Sequence, residues 1–217
     1  MIVAGGKGTR MGQDLPKQFL PLRGKPILMH TLEKFQSADY TCELILVLPS
    51  VVFDLWNSLV EEHSFDIPHE LVQGGKSRFQ SVRKGILSIS SNEGLVAIHD
   101  GVRPFVSEKV IRQAFETANE NGSAIPVVPL KDSIRKVESG VSSFQDRNLF
   151  KLVQTPQTFR VKEIKEAFHV DESDAFTDDA TVYEYSGNQV TLIQGNRENI
   201  KITTPEDLDY AEFLLRE

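Results

Sequence analysis

The segment Ala4-Gly5-Gly6-Lys7-Gly8-Thr9-Arg10-Met11-Gly12 follows a short apolar start, Ile2-Val3, and packs three glycines into four positions. Glycines let backbone N–H groups converge on an anion, and Lys7 and Arg10 add formal charge, so the segment reads as a phosphate cradle. It is not a P-loop, because no Gly-Lys-Ser/Thr follows at the required spacing. Nor is it a dinucleotide fingerprint, because Gly6-x-Gly8 continues to Gly12 one residue too late. For the glycines alone, a tight turn with solvated charges is the plainer alternative. Pro16-Lys17-Gln18 follows soon after, which gathers Lys7, Arg10 and Lys17 around one acid, Asp14. The fixed backbone of Pro16 favours a positioned Lys17. Such a concentration of cations points to a small polyanion as ligand.

A second cluster, His99-Asp100-Gly101-Val102-Arg103-Pro104, comes directly after the apolar run Leu95 to Ile98. A carboxylate at the end of a buried parallel strand is placed to hold Mg²⁺ against a nucleotide's phosphates, since Mg²⁺ takes oxygen ligands and usually only one or two carboxylates. Asp100 is therefore the metal candidate. The alternative is an Asp100–Arg103 pair that only shapes the loop. The five histidines show no metal-ligand spacing, and His99 reads as structural. Gly74-Gly75-Lys76-Ser77-Arg78 opens a helix whose free N–H groups and dipole suit a ligand. Two glycines there would let a flat base lie against the backbone, with Ser81 facing it one turn on. Ser77 as a plain N-cap fits equally well. In Ile200-Lys201-Ile202-Thr203-Thr204-Pro205-Glu206-Asp207, the last turn-forming residues Thr204, Pro205 and Asp207 make a capping arrangement. Lys201 precedes the cap and can point back toward the strand ends. Asp132-Ser133, Arg147, Thr155-Pro156-Gln157 and Thr177-Asp178-Asp179-Ala180 complete the candidates, each with a loop or cap reading beside the functional one.

These residues need a scaffold, and 217 residues with 40% hydrophobic and 25% charged content can bury a sizeable core. Apolar runs at Leu44 to Leu48, Leu95 to Ile98, Ala124 to Val128 and Val190 to Gln194 predict inner strands. Pro26 can open a helix whose Leu28, Leu32 and Phe35 share one face, and similar stripes mark 78–88, 108–119, 161–169 and 206–215. The alternation predicts one α/β domain with a mostly parallel sheet covered by helices, whose ligands sit beyond the carboxyl ends of the strands. No repeat or linker divides 1–217. Residues 131–154 alternate loosely around a Ser139-Gly140 turn signal and read either as a hairpin arm that serves dimerisation or as a long surface loop.

A formal charge of −7, from 24 Lys+Arg against 31 Asp+Glu, speaks against nucleic-acid polymers and anionic membranes as partners. The single cysteine, Cys42, excludes an internal disulfide and a cysteine-rich zinc site and suits a reducing cytoplasm. The N-terminal residues lack the apolar stretch of a signal peptide or membrane span, so the expected location is cytoplasmic.

Taken in order, Gly5-Gly6-x-Gly8-Thr9-Arg10-Met11, Pro16-Lys17-Gln18, Gly74-Gly75-x-x-Arg78-x-x-Ser81-Val82, His99-Asp100-x-x-Arg103-Pro104, Thr155-Pro156-Gln157, Thr177-Asp178 and Asn199-Ile200-Lys201-Ile202-Thr203 closely resemble the 2-C-methyl-D-erythritol 4-phosphate cytidylyltransferase family. The resemblance spans nearly the whole chain. It implies a Rossmann-like, three-layer nucleotidyltransferase fold with a projecting β-arm, at 131–154, that interlocks in a homodimer. It also implies Mg²⁺-assisted transfer of CMP from CTP to methylerythritol phosphate, giving 4-diphosphocytidyl-2-C-methylerythritol and pyrophosphate in non-mevalonate isoprenoid synthesis.

By the family's pattern, Arg10 and Lys17 stabilise the transition state at the α-phosphorus, with Lys201 adding charge nearby. Ala4, Gly5, Gly6, Gly8, Thr9, Gly74, Gly75, Ser81 and Asp100 surround the nucleotide. Asp100, Arg103, Ser133, Arg147, Thr155, Thr177 and Lys201 match positions for the acceptor or its neighbourhood, with Arg147 reaching the partner subunit's site through the arm. Where the family often has Asp-Thr, Asp132-Ser133 keeps the hydroxyl. A phosphate monoester is largely dianionic at neutral pH, so the reaction calls for charge neutralisation and in-line orientation rather than a general base. Ribitol 5-phosphate cytidylyltransferase is the nearest rival. Arg78-x-x-Ser81-Val82 and Thr177-Asp178-Asp179-Ala180 resemble the methylerythritol enzymes more. A silent nucleotide sensor is the rival from another class, against which Arg10, Lys17, Asp100 and Lys201 together argue.

Overall fold

The computed structural model describes residues 1–5, 15–38 and 41–216. Its strands are β1 (Ile2–Val3), β2 (Pro21–Leu22), β3 (Lys25–Pro26), β4 (Ile45–Leu48), β5 (Glu70–Gln73), β6 (Leu95–Asp100), β7 (Ser123–Pro129), β8 (Ile134–Glu138), β9 (Val141–Gln145), β10 (Lys151–Val153), β11 (Gln157–Arg160) and β12 (Leu192–Gln194). Its α-helices are α1 (Ile27–Ala38), α2 (Phe53–Glu62), α3 (Arg78–Ser88), α4 (Glu108–Asn121), α5 (Val161–Ala167), α6 (Asp179–Tyr185) and α7 (Pro205–Leu214). The central sheet has the order β10-β7-β11-β6-β1-β4-β5, with β12 also paired to β7.

Parallel pairing joins β1 to β4 and β6, β4 to β5, and β12 to β7. The expected mostly parallel sheet is therefore present. It also contains β11, antiparallel to both β6 and β7, and β10, antiparallel to β7.

Successive strand residues face opposite sides of a sheet. Ile2, Leu46 and Ala97 enter the core beneath α1, α2 and α4, together with Leu28, Leu32, Phe35, Trp56, Val110 and Ile111. Their neighbours Val3, Val47 and Ile98 enter the opposite core with Phe79 and Val82 of α3, Ile164 of α5 and Val182 of α6. Helices thus cover both faces, which is why the inner strands read as unbroken apolar runs. None of the described helices is long and apolar enough to cross a membrane.

The predicted cap of α7 is present. Thr204 Oγ1 accepts from the Asp207 N–H, and Asp207 Oδ2 accepts from the N–H groups of Thr203 and Thr204 at 2.8 and 2.9 Å. Burial works against the Asp207 charge, and these donors outweigh it, so the carboxyl sits below its ordinary range. A depressed folded-state pKa gives stability that is present above the unfolded value, about 3.9, and lost as pH falls through the folded one. Asp207→Ala is expected to cost about 1–2 kcal/mol in urea unfolding at neutral pH, and less in acid. An equal cost at both pH values would remove the carboxylate from the cap.

Residues 134–145 form an isolated two-stranded hairpin, β8 with β9. Ser139 and Gly140 both have positive φ, 50° and 80°, the conformation a two-residue primed turn requires. Residues 151–153 rejoin the main sheet as β10, so the projecting part is shorter than the expected 131–154.

Candidate active site

Three loops meet where β1, β4 and β6 end. The Ala4 N–H donates to the Val47 carbonyl, Gly74 N–H to Leu48 and Gly101 N–H to Val3, at 3.0, 2.8 and 3.0 Å. These bonds place Ala4-Gly5, Gly74-Gly75 and Asp100-Gly101 side by side at the carboxyl end of the sheet. Gly6, Lys7, Gly8, Thr9 and Arg10 lie outside the described residues. Lys17 heads a single 3-10 turn after Pro16, and Gln18 beside it is buried with its Nε2 donating to the Ala4 carbonyl at 2.9 Å. That bond ties the Lys17 turn to the end of β1.

One face of α3 shapes the second glycine loop. Ser81 Oγ accepts from the Gly75 N–H at 3.0 Å and donates to the Ser77 carbonyl at 2.8 Å. Gln80 Oε1 accepts from the Lys76 N–H, and Lys84 Nζ donates to the Gly74 carbonyl. A Cβ on Gly75 would lie 2.3 Å from Gln80 Cβ, so that position requires glycine, and one on Gly74 would lie 3.0 Å from Ser81 Oγ, a tight contact. Of the two readings of Ser77, the cap is realised, as its side chain accepts from the Gln80 N–H. Ser81 is buried, and its hydroxyl shapes the loop instead of projecting from it.

Asp100 is the electrostatic centre. Arg103 Nε and Lys201 Nζ approach its Oδ2 at 3.0 and 3.1 Å, and Arg78 Nε faces Oδ1 at 3.7 Å. Burial disfavours its charge, but Lys201, Arg78 and Arg103 outweigh that and hold the carboxyl far below the usual range. The loop-shaping pair with Arg103 thus exists, inside a larger cluster. Arg103 is fixed further by Nη1 donating to the Asn199 carbonyl at 2.9 Å. Lys201 is different, since among the described residues its ammonium meets Asp100 alone and its side chain is 41% exposed.

His99 is fully buried, and burial pushes its imidazole down to about 3, so it is neutral. Its Nε2 donates to the Arg103 carbonyl and its Nδ1 accepts from Thr155 Oγ1, which in turn accepts from the Asp100 N–H. His99 is structural, as its spacing predicts, and Thr155 acts in the same chain of bonds. Asn199 Nδ2 donates to the Thr155 carbonyl and Gln154 Nε2 to the Asn196 carbonyl, which fixes the loop that delivers Lys201. Thr177 is exposed and two residues before Asp179, while Asp178 caps α6 and accepts from Gln157 Nε2. Ser133 and Arg147 lie on the exposed arm, where Arg147 donates to the Lys131 carbonyl. No bond joins either to the Asp100 group among the described residues.

Sequence reasoning missed Gln154, and it missed the pairing of Arg78 with Asp179, a two-pronged ion pair at 2.8 and 2.7 Å. One signal was available. A cation in the first turn of a helix opposes the helix dipole, so Arg78 called for a carboxylate nearby.

Among the described residues, no group of three or more His, Cys, Asp or Glu gathers as a metal cage. A single ionised carboxylate, with Oδ1 beyond hydrogen-bond distance of Arg78, suits an ion that takes one protein oxygen and completes its shell with phosphates and water.

Helices on both faces of a mostly parallel sheet, with cations gathered at its carboxyl end, define an α/β protein built to take a phosphate-bearing ligand at its strand ends. Comparison with known proteins narrows the class. The family model for 2-C-methyl-D-erythritol 4-phosphate cytidylyltransferase matches residues 1–217, and the chain belongs to this family. Proteins of that name from Bacteroides fragilis and Phocaeicola vulgatus are 51% and 50% identical over 215 residues, 99% of this chain and 98% of each relative. The crystal structure of 4-diphosphocytidyl-2C-methyl-D-erythritol synthase from Anaerococcus prevotii superposes with a TM-score of 0.85 at 28% identity, covering 100% of this chain and 94% of that one. The cytidylyltransferase structure from Thermus thermophilus gives 0.77 at 30% identity, covering 100% and 98%.

Proposed function

We propose that this chain transfers CMP from CTP to 2-C-methyl-D-erythritol 4-phosphate, releasing pyrophosphate, at the sheet end where Ala4-Gly5, Gly74-Gly75 and Asp100 meet. The observation that carries the reading is the Lys201–Asp100 pair. A polyanion arriving there competes with Asp100 for an exposed ammonium, and Arg78 and Arg103 keep Asp100 balanced when Lys201 turns to phosphate. Lys17, and Arg10 from the glycine-rich loop, neutralise charge that develops as bonds at phosphorus rearrange. The acceptor phosphate is already an adequate nucleophile at neutral pH, and the buried neutral His99 takes no proton from it.

The glycines of both loops and Ser81, which holds one of them in shape, form the nucleotide side. Arg103, Thr155, Thr177 and Lys201 form the acceptor side. Mg²⁺, held by Asp100 and the phosphates, supplies charge neutralisation and orientation when bound. We place the protein in the cytoplasm as a single nucleotidyltransferase domain.

The arm completes the reading. Val137, Phe144 and Leu149 are 69%, 73% and 80% exposed on a segment with no core of its own, an apolar surface of the kind a second copy covers. Ser133 and Arg147 then belong to the acceptor side of the partner's site. Phe144→Asp is expected to raise the dimer dissociation constant at least tenfold in sedimentation equilibrium. An unchanged constant would place the interface elsewhere.

The direct test of the reaction is pyrophosphate release from CTP and Mg²⁺, with methylerythritol 4-phosphate and ribitol 5-phosphate in parallel. Turnover only with the first supports the reading. Preference for the second moves the protein to the neighbouring specificity, and silence with both in folded protein leaves a nucleotide sensor.

A further inference from the structure

We infer that Asp179 is a positioning residue that restrains Arg78 and so keeps one oxygen of Asp100, among the described residues, uncommitted. The inference takes its kinetic readout from the proposed reaction, but its geometry stands apart from it. Arg78 lies between two buried carboxylates. Its terminal nitrogens Nη1 and Nη2 donate to Asp179 Oδ1 and Oδ2 at 2.8 and 2.7 Å, and only Nε is left to face Asp100, at 3.7 Å from Oδ1.

A guanidinium fork left to itself pairs with a carboxylate through two parallel N–H bonds. Asp100 is within reach of such a fork, and occupation of both its oxygens would displace Lys201 and Arg103 from Oδ2. The Asp179 pairing forbids that arrangement. Arg78 then contributes positive charge to Asp100 without a short hydrogen bond, and Oδ1 stays available to a cation or hydroxyl donor of the bound substrates.

Asp179 is itself held from several sides. It is 1% exposed and begins α6, whose N-cap Asp178 accepts from the Thr181 N–H. Gln157 grips the same turn twice, with Nε2 donating to Asp178 Oδ2 and Oε1 accepting from the Ala180 N–H, both at 2.8 Å. The α6 turn is thus pinned to β11, and through Arg78 it reaches the helix that opens from Gly74-Gly75. Asp179 acts on the site through Arg78 and touches no reacting atom.

The tests are kinetic and structural. Wild-type pyrophosphate release from CTP, Mg²⁺ and methylerythritol 4-phosphate comes first, and its absence counts against the proposed reaction alone. Asp179→Asn is expected to lower kcat/KM by about 10–100-fold, the usual scale for a residue that orients a ligating group. The double variant Arg78→Met with Asp179→Asn removes the fork that would collapse onto Asp100, and is expected to be at least fivefold more active than Asp179→Asn. A merely structural ion pair predicts no such recovery of kcat/KM in folded protein. Wild-type kinetics in Asp179→Asn, or a double variant no better than it, overturns the inference. Independently of turnover, a crystal structure of Asp179→Asn is expected to show Arg78 paired through two nitrogens to Asp100, and an unmoved Arg78 overturns it. Should Asp179→Asn fail to fold, Asp179→Ser removes the charge and the paired acceptor oxygens while keeping a small polar side chain, and is read in the same two ways.

Discussion

Replacing Lys17 by alanine is expected to lower kcat by about 10²–10³-fold while changing CTP affinity only a few-fold. The backbone around Lys17 is fixed by Pro16 and by Gln18, whose side chain is bonded to the end of β1, so Lys17 stands on a turn tied to the loops proposed to hold the nucleotide. Charge held in place gains most where charge changes most, which is the reacting phosphorus and its leaving oxygen. Interactions made equally with bound CTP and with the transition state would lower KM without raising kcat. The separation is measured by pyrophosphate release at saturating substrates together with calorimetric titration of CTP. Near-normal turnover in Lys17→Ala would take this residue out of the mechanism.

Lys201→Ala should lower kcat/KM for the acceptor by about 10²-fold and leave thermal stability almost unchanged. Its ammonium is exposed and meets only Asp100 among the described residues, whereas Asp100 keeps Arg78 and Arg103 when Lys201 is gone. The ion pair is half in solvent, so its removal costs little folding free energy. The kinetic loss has a different origin. Two polyanions must approach one another, and on the proposed reading Lys201 gives the acceptor phosphate a cation that the fixed arginines do not supply. Steady-state kinetics over a range of acceptor concentrations, with a melting curve on the same preparation, check both halves. Wild-type kinetics with a markedly lower melting temperature would make Lys201 a stabiliser of Asp100 and nothing more.

Much of the scaffold is legible where a local rule suffices. The Leu28, Leu32, Phe35 stripe is the buried face of α1, Thr204-Pro205-x-Asp207 is a cap, and Ser139-Gly140 is a turn. Strand β11 is not legible, because Gln157, Thr158 and Arg160 carry no apolar period and only its two neighbours make it a strand. Helix α2 carries apolar residues at 53, 55, 56, 59 and 60, a helical stripe visible in the sequence itself.

At the site, the motifs mark the right segments but not who meets whom. Arg78 and Asp179 are 101 residues apart, and Gln154 and Asn199 are 45 apart, so no spacing rule connects them. The motifs mark Ser81 and Thr155, and the fold adds what their spacing does not show, the bonds of their hydroxyls to the Gly75 and Asp100 N–H groups, to the Ser77 carbonyl and to His99. A motif records which residues a site needs and is silent on whether each touches the substrate or its neighbour.

The strands that end at the site send alternate residues into opposite helical layers, Ile2 and Val3, Leu46 and Val47, Ala97 and Ile98. A strand gripped this way cannot slide or tilt toward one layer without opening a gap in the other, and close-packed interiors resist such gaps. The proposed floor of the site is therefore held from both layers, and its open direction is outward, toward side chains and loop tips. Lys201, with 41% of its side chain exposed, is among the side chains at that outer edge.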